Sequence, residues 1–272
     1  MSTHASASFI AKADGVIAGL YVATIVFEKV DAEVDMTWMV NDGDVVKAGQ
    51  ILGVATGPAH AILIGERIAL NYMQRMSGIA TQTAAMVKEI GCCTKTKLLD
   101  TRKTVPGLRL LDKWAVAIGG GENHRIGLYD MMMIKDNHIA AAGGLKHAVH
   151  AAEEYMRSKG IQRPLEVETR TMEEVRQVLD VIDSAGESSM VTRIMLDNMA
   201  VRQKDGSVDV SLLEEALRVI GDRRIETEAS GNVTLATIRH IAKTGVDFIS
   251  TGSITHSVTA LDISLLIQTT TS

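Results

Sequence analysis

The sequence predicts an α/β protein whose larger part is a closed or nearly closed barrel of parallel strands, preceded by a smaller layer rich in β-structure. Three observations carry this. From Lys97 onward, short apolar runs end abruptly in polar residues, at KLLDTRK, MMMIKDNH, PLEVETR, RIMLDN, RIETEASGN and DFISTGS. Most are followed by a helical pattern, at Gly144 to Arg157, Glu173 to Ile182, Leu212 to Ile220 and Val233 to Lys243. Such strand, loop and helix units of about 30 residues force parallel strands, because each helix carries the chain back. Before Pro58 the runs are shorter and punctuated by turn signals, so the chain is divided into a small N-terminal domain over 1–80 and a barrel domain over 81–272.

The first domain reads as FIAKADGVIAGL, a run around Val22 to Val30, and MTWMVNDGDVVKAGQILGVATGP. Asn41 to Gly53 reads as strand, tight Asp-Gly turn, strand, turn, strand. That pattern resembles the hammerhead of biotinyl and lipoyl carriers, which need an exposed modifiable lysine at a hairpin tip. Lys47 lacks that setting, so a β-rich layer is expected without a carrier function. Ala59 to Ile90 then turns helical, with Ile62, Leu63, Ala69, Leu70, Met73, Met76, Ile79 and Ala80 recurring at steps of three and four. Ser77-Gly78 suggests a break and a second, shorter helix. On spacing alone Arg67 is a surface residue.

Composition narrows the function. Only 3% of the 272 residues are aromatic against 46% hydrophobic, so an aliphatic core is expected, with the consecutive Met131, Met132 and Met133 filling gaps beside a strand. A formal net charge of −5 argues against nucleic acid as the main partner. Cys92 and Cys93 are adjacent, too cramped for a relaxed disulfide, which points to a reducing compartment. No apolar run approaches the roughly 18 residues of a membrane span, so a soluble intracellular protein without membrane partners is expected. The opening MSTHASASF has neither a basic flank nor a secretory core and is taken as a remnant of a targeting segment or of cloning. The compartment is then the cytoplasm, or a plastid or mitochondrion if a targeting segment has been removed.

Leu99 to His138 holds the densest chemistry. DTRK, GGGENHR and IKDNH gather Arg102, Lys103, His124, Arg125 and Lys135 beside glycines and apolar runs. A cation at the mouth of a buried strand costs desolvation unless an anion meets it, so this is the wall of an anion site. Arg102, Lys135, Glu168, Asp197, Ser230 and Gly252 all sit just after barrel strands, where polar residues converge on one face. Arg67, Arg102, Arg125 and Lys135 suit a dicarboxylate. EASGN (Glu228 to Asn232) and STGS (Ser250 to Ser253) place glycines between a strand end and a helix start, where backbone N–H groups cradle a phosphate. Glu168 and Asp197 suit ribose hydroxyls, Mg²⁺, or positive charge developing on a sugar carbon. Neither a Ser/His/Asp order nor an HExxH spacing is present.

ERIALNYMQRMSGIAT, LDTRKTVPGLRLLDKWAVAIGGGENHR, MIKDNHI, EVETRT, IMLDNM, TEASGNVTL and STGSITHSVTALDISL resemble the quinolinate phosphoribosyltransferases, in order and over nearly the whole chain, with SGN as in plant-type members. The resemblance implies an α/β first domain and an open, seven-stranded TIM-like barrel. It also implies a homodimer paired head to tail, so that Arg67 reaches the partner's active site. By the family's motif Arg67, Arg102, Lys103, His124, Arg125 and Lys135 bind quinolinate. Glu168 and Asp197 take the ribose end of 5-phosphoribosyl 1-pyrophosphate with Mg²⁺, and Ser230, Gly231, Asn232 and Gly252 take its phosphate. Lys103, Glu168 and Asp197 are the implied catalytic groups, with no organic cofactor. The implied products are nicotinate mononucleotide, pyrophosphate and CO2, the entry into NAD synthesis. Family members usually begin with a helix and an acidic stretch before the first strand, and plant-type members run on past LDISLLIQ, so a weakened first domain or dimer is expected. Rival readings are a molybdenum-transport-associated paralogue, a Schiff-base aldolase on Lys135, and an inactive anion-binding subunit.

Overall fold

A computed structural model describes residues 3–91 and 94–269; Cys92 and Cys93 lie outside them. In chain order the elements are β1 (His4–Ala11), β2 (Gly15–Val16), α1 (Leu20–Val30), β3 (Asp35–Trp38), β4 (Val45–Val46), β5 (Ile51–Pro58) and α2 (Ala59–Ile90). There follow β6 (Lys97–Leu99), α3 (Arg109–Ile118), β7 (Met132–Ile134), α4 (Asp136–Ala141), α5 (Leu145–Ser158), β8 (Leu165–Thr169) and α6 (Met172–Ala185). After a 3-10 turn come β9 (Val191–Asp197), β10 (Val201–Arg202), β11 (Val208–Asp209), α7 (Ser211–Ile220) and β12 (Glu226–Ser230). The chain closes with α8 (Ile238–Ala242), β13 (Phe248–Ser250), α9 (Ser253–His256) and β14 (Ile263–Thr269). Two units form, both discontinuous: 1–85 with 103–121 and 252–272, and 86–102 with 122–251.

The first unit is built on an antiparallel sheet in the order β14-β1-β5-β3. In β1 the alternate residues Ala5, Ala7, Phe9 and Ala11 are buried, the period-2 signature of a half-buried strand. The Ser/Ala-rich opening is therefore an integral strand, paired on both sides with β5 and β14. The run at Val22 to Val30, placed among the β-structure on sequence, is instead most of helix α1. Leu20, Ala23 and Phe27 are its buried residues, spaced at i, i+3 and i+7 as one helix face requires, and the Phe27 ring meets Phe9 edge-on at 6.2 Å.

The expected break at Ser77-Gly78 does not occur, since α2 runs unbroken over 32 residues. Ser77 Oγ accepts from Ala18 N (2.9 Å) and donates to Ala18 O, so its hydroxyl serves a tertiary contact rather than a cap. A Cβ on Gly78 would stand 2.3 Å from Thr259 O. Glycine is there for close backbone approach, at a cost of roughly 1 kcal/mol in helix propensity.

The second unit is an α/β barrel-like sheet of six parallel strands in the order β6-β13-β12-β9-β8-β7. Among the described residues the seventh position is reduced to a single parallel bridge between Leu99 and Glu122, and no pairing joins that edge to β7. Its helices follow the periodicity read from sequence except at Val233 to Lys243, where only Ile238–Ala242 is helical. Asn232 has φ +56°, and Thr237 Oγ1 accepts from Thr234 N while donating to Asn232 O. A hydrogen-bonded turn thus occupies the first five positions of the expected helix.

Candidate active site

The strand ends of the second unit carry two polar layers. The outer one begins where β7 stops: Lys135, just past Ile134, forms an ion pair with Glu168 of β8. Arg170, one residue beyond β8, spreads its three guanidinium nitrogens over three carboxylates: Nη1 to Asp136 (2.8 Å), Nη2 to Glu168 (3.1 Å) and Nε to Asp197 at the end of β9 (3.2 Å). Asn198 Nδ2 also donates to Asp197 (2.8 Å). Two cations against three carboxylates leave this mouth one charge negative. Burial, reinforced by the Glu168 charge, pushes the Asp197 carboxyl up from its ordinary range, as expected where an additional cation is wanted.

Ser230 ends β12 in register with Asp197, and its carbonyl accepts from Asn198 N at 2.8 Å. Gly231 follows at φ +88°, and a Cβ there would lie 2.2 Å from Asn198 Oδ1, so only glycine fits. Asn232 donates through Nδ2 to Ala200 O (3.0 Å). The sequence placed this turn directly before a helix. Since α8 starts only at Ile238, backbone N–H groups of a tight turn, not a helix dipole, are what it offers to an anion.

The deeper layer is buried. His124 Nε2 stands 3.2 Å from both Glu166 Oε2 and Glu228 Oε2, and both glutamates are fully enclosed, at 0% exposure. Arg193 contacts Glu228 through Nη1 (3.0 Å) and Glu226 through Nη2 (2.8 Å) and stacks on the Phe248 ring at 3.9 Å. His124 N donates to Asp100 (2.8 Å), and Arg125 N donates to His124 Nδ1 (2.7 Å). Burial alone would lower the histidine pKa, but the two glutamates outweigh it and raise it to about 9. Burial, with the Glu228 charge, pushes Glu166 up. The three groups therefore hold one extra proton between them, and because Nδ1 is an acceptor that proton lies on the Nε2 side.

The Arg125 guanidinium leans on neutral acceptors, Met131 O and Met133 Sδ, both at 3.4 Å. Its pKa is lowered by burial and then by the charge of Arg102. Glu166, Asp130 and Glu228 offset part of that loss, and a buried cation hydrogen-bonded to neutral groups beside another cation can take a further anion.

A cavity of about 420 Å³ is lined by Lys97, Glu122, Arg125, Arg193, Glu226 and Phe248, among others. Lys97, Glu226 and Phe248 open their strands, so that part of its wall lies toward the strand N-termini, while Leu99, which ends β6, and His124 and Arg125 also line it; Lys135, Glu168, Asp197 and Ser230 stand at the C-terminal ends where barrel chemistry gathers. His124, Glu166 and Glu228 also present three donor atoms within 4.8 Å of one another. Arg193 already supplies the cation that Glu228 needs, so this trio reads as a proton-holding group. Glu168 and Asp197, an all-oxygen pair, are the better fit to Mg²⁺.

Of the residues singled out on sequence, Lys135, Glu168 and Asp197 meet directly or through Arg170, Ser230 stands in register with Asp197, and His124, Arg125 and Arg102 are coupled. Arg67, Lys103 and Gly252 belong to the first unit. There Arg67 is exposed among the exposed Leu63, Ile64 and Ile68, and Lys103 O accepts from Thr255 Oγ1 at 2.8 Å. Sequence reasoning missed Arg170, Glu166, Glu228 and Arg193 as functional positions. The available signal was alternation: in EVE, ETE and RIMLD the charged residues recur every second position or bracket a strand, placing two stacked polar rings on one strand face.

Family models for the quinolinate phosphoribosyl transferase N-terminal and C-terminal domains match residues 1–77 and 79–266. The chain belongs to the quinolinate phosphoribosyltransferase family. A chloroplastic nicotinate-nucleotide pyrophosphorylase [carboxylating] of Arabidopsis thaliana is 54% identical over 97% of this chain and 74% of its own. A mitochondrial quinolinate phosphoribosyltransferase [decarboxylating] 2b of Nicotiana tabacum is 53% identical over 99% and 75%. Among solved structures, NadC from Streptococcus pyogenes superposes with a TM-score of 0.85 at 38% identity, covering 98% of this chain and 88% of that one. For this family member, the two-layered strand ends are the part of the fold on which a reaction can be placed.

Proposed function

We propose that this chain transfers the phosphoribosyl group of 5-phosphoribosyl 1-pyrophosphate to quinolinate and releases CO2, giving nicotinate mononucleotide and pyrophosphate. The observation that carries the proposal is the cluster of Lys135, Glu168, Arg170 and Asp197 at the strand C-termini, in a chain matched by both family domains. Lys135, Arg102 and Arg125 hold the two quinolinate carboxylates, Arg as a bidentate fork and Lys as a point charge. His124 takes part through Arg125, to whose N–H it is bonded. Ser230, Gly231 and Asn232 supply phosphate contacts.

The pyridine nitrogen attacks the ribose anomeric carbon as the bond to pyrophosphate breaks, its electron pair leaving with pyrophosphate. Glu168 and Asp197 stabilise the positive charge that develops on the sugar. As CO2 departs, the electron pair of the breaking C–C bond stays on the ring carbon, stabilised by the adjacent quaternary nitrogen, and that carbon then takes up a proton. Mg²⁺, held by Glu168 and Asp197, would offset the charge of the donor's phosphates at a mouth that is itself negative. Holding two anionic substrates against their repulsion is the main task.

Arg67 is assigned to the active site of a second copy. Leu63, Ile64 and Ile68, about 50–60% exposed on the same stretch of α2, make a patch that such a homodimer would cover. No helix of the described residues is long and apolar enough to cross a membrane, and the named relatives support an organelle as the site of action. The aldolase reading is disfavoured because the Lys135 ammonium is paired with Glu168, whereas a Schiff-base lysine must be neutral.

The test is direct. Incubation with quinolinate, 5-phosphoribosyl 1-pyrophosphate and Mg²⁺ should yield nicotinate mononucleotide and CO2 in equal amounts. Quinolinate that fails to bind would favour the molybdenum-associated paralogue, and binding without turnover the inactive subunit.

A further inference from the structure

The mechanism makes no use of Glu166 and Glu228, yet two carboxyls with no exposed surface converge on a single imidazole nitrogen. Barrel interiors are ordinarily filled by branched apolar side chains, and each buried charge costs several kcal/mol unless matched. Resting on the proposed reaction, we infer that Glu166 and Glu228 are positioning residues: by holding the His124 proton at Nε2 they keep Nδ1 an acceptor for Arg125 N–H, which fixes the guanidinium that receives a quinolinate carboxylate.

Nε2 lies 3.2 Å from both glutamate oxygens without an aligned hydrogen bond to either, so it is the charge of whichever carboxyl is ionised that draws the hydrogen to that side of the ring. Nδ1 is then bare, and Arg125 N–H, 2.7 Å away, donates to it. In the other tautomer Nδ1–H would face that N–H, donor against donor, and the Arg125 backbone would have to move. The guanidinium would move with that backbone, because its own acceptors at Met131 and Met133 are weak and neutral and do little to hold it in place.

The charged groups facing the trio come from the neighbouring elements: Arg193 of β9 on Glu228, Asp100 after β6 on the His124 backbone, and Arg125 itself, with Ser250 of β13 the polar neighbour that favours ionised Glu228. Arg193 keeps Glu228 ionised, so Glu166 is the carboxyl that carries the extra proton. Gln at 166 is then a close mimic, while Leu at 166 or Gln at 228 is not.

Titration of wild type, E166Q, E166L and E228Q with quinolinate by calorimetry, with steady-state kinetics alongside, tests this. E228Q should raise the quinolinate Kd and KM by about tenfold, the loss of one charge-assisted contact, while E166L, which leaves the ionised Glu228 facing Nε2–H, should raise them less. The KM for the phosphoribosyl donor should stay within about twofold, and E166Q should behave as wild type. ¹⁵N NMR of the His124 ring without substrate gives a second reading: the proton on Nε2 in wild type and E166Q, and a tautomer mixture in E228Q. Unchanged quinolinate affinity in E228Q, equal rises in both KM values, or an Nδ1–H tautomer in wild type would each overturn the inference. A wild-type protein that makes no nicotinate mononucleotide refutes the proposed function instead, which the substrate-free spectrum identifies separately.

Discussion

The buried trio of His124, Glu166 and Glu228 makes stability depend on pH above neutrality. The proton that the three groups share is lost only at about 9, against 6.5 for an ordinary imidazole, so the folded state binds it more tightly than the unfolded chain. The sign follows: the contribution is fully present below pH 6.5 and is lost as pH rises through about 9. At about 1.4 kcal/mol per unit, the displacement corresponds to an upper bound of about 3 kcal/mol, not to be doubled for Glu166, because the coupled groups share the proton. Urea unfolding of the wild type at intervals between pH 6.5 and 9 should show the midpoint falling steadily, with m constant. E166Q, whose amide stands in for the protonated carboxyl, should lose most of that slope. A flat wild-type profile, or an equal slope in E166Q, would refute the shared proton.

Other outcomes are open to test. Arg102→Ala should weaken quinolinate binding about 10-fold to 100-fold, the loss of a bidentate charge-assisted contact worth about 1.5–3 kcal/mol, with calorimetry as the measurement. Ser230→Ala should raise the KM for 5-phosphoribosyl 1-pyrophosphate more than that for quinolinate, and the reverse order would place the phosphate elsewhere. Mixing Arg67→Ala with Lys135→Ala subunits should restore part of the activity in verified heterodimers, whereas no recovery argues against a shared site. Arg75→Ala should lower unfolding stability by about 3 kcal/mol or more, because Arg75 forks onto the Asp112 carboxylate at 2.8 Å through two nitrogens and Asp112 is only 1% exposed.

Local readings failed where a residue's conformation answers to a distant partner. Ser77-Gly78 signals a break only while Ala18 and Thr259 are out of view; with them, the serine hydroxyl is engaged and the glycine is a contact point inside a continuous helix. Val22 to Val30 looked like one more short apolar run because hydrophobicity was noted without its period, although Leu20, Ala23 and Phe27 already sit on one helical face. Lys135, Glu168, Asp197 and Ser230 were legible because a strand followed by a polar residue encodes its own position at the mouth of a parallel sheet. Arg170 was not, since a residue one step past the strand looks like solvent-facing charge until Asp136, Glu168 and Asp197 are brought around it.

By itself the sequence determined the alternation of strand and helix, the cationic and carboxylate character of the strand ends, and the family, because each is carried by local order along the chain. Tertiary structure alone decided that β1 is flanked by β5 and β14, that among the described residues pairing past β6 ends at the bridge at Glu122, and that Glu166 and Glu228 share one imidazole. Each of these depends on residues tens to hundreds of positions apart meeting at 3 Å scale. Periodicity gives the face a side chain occupies, and only packing gives the group it finds there.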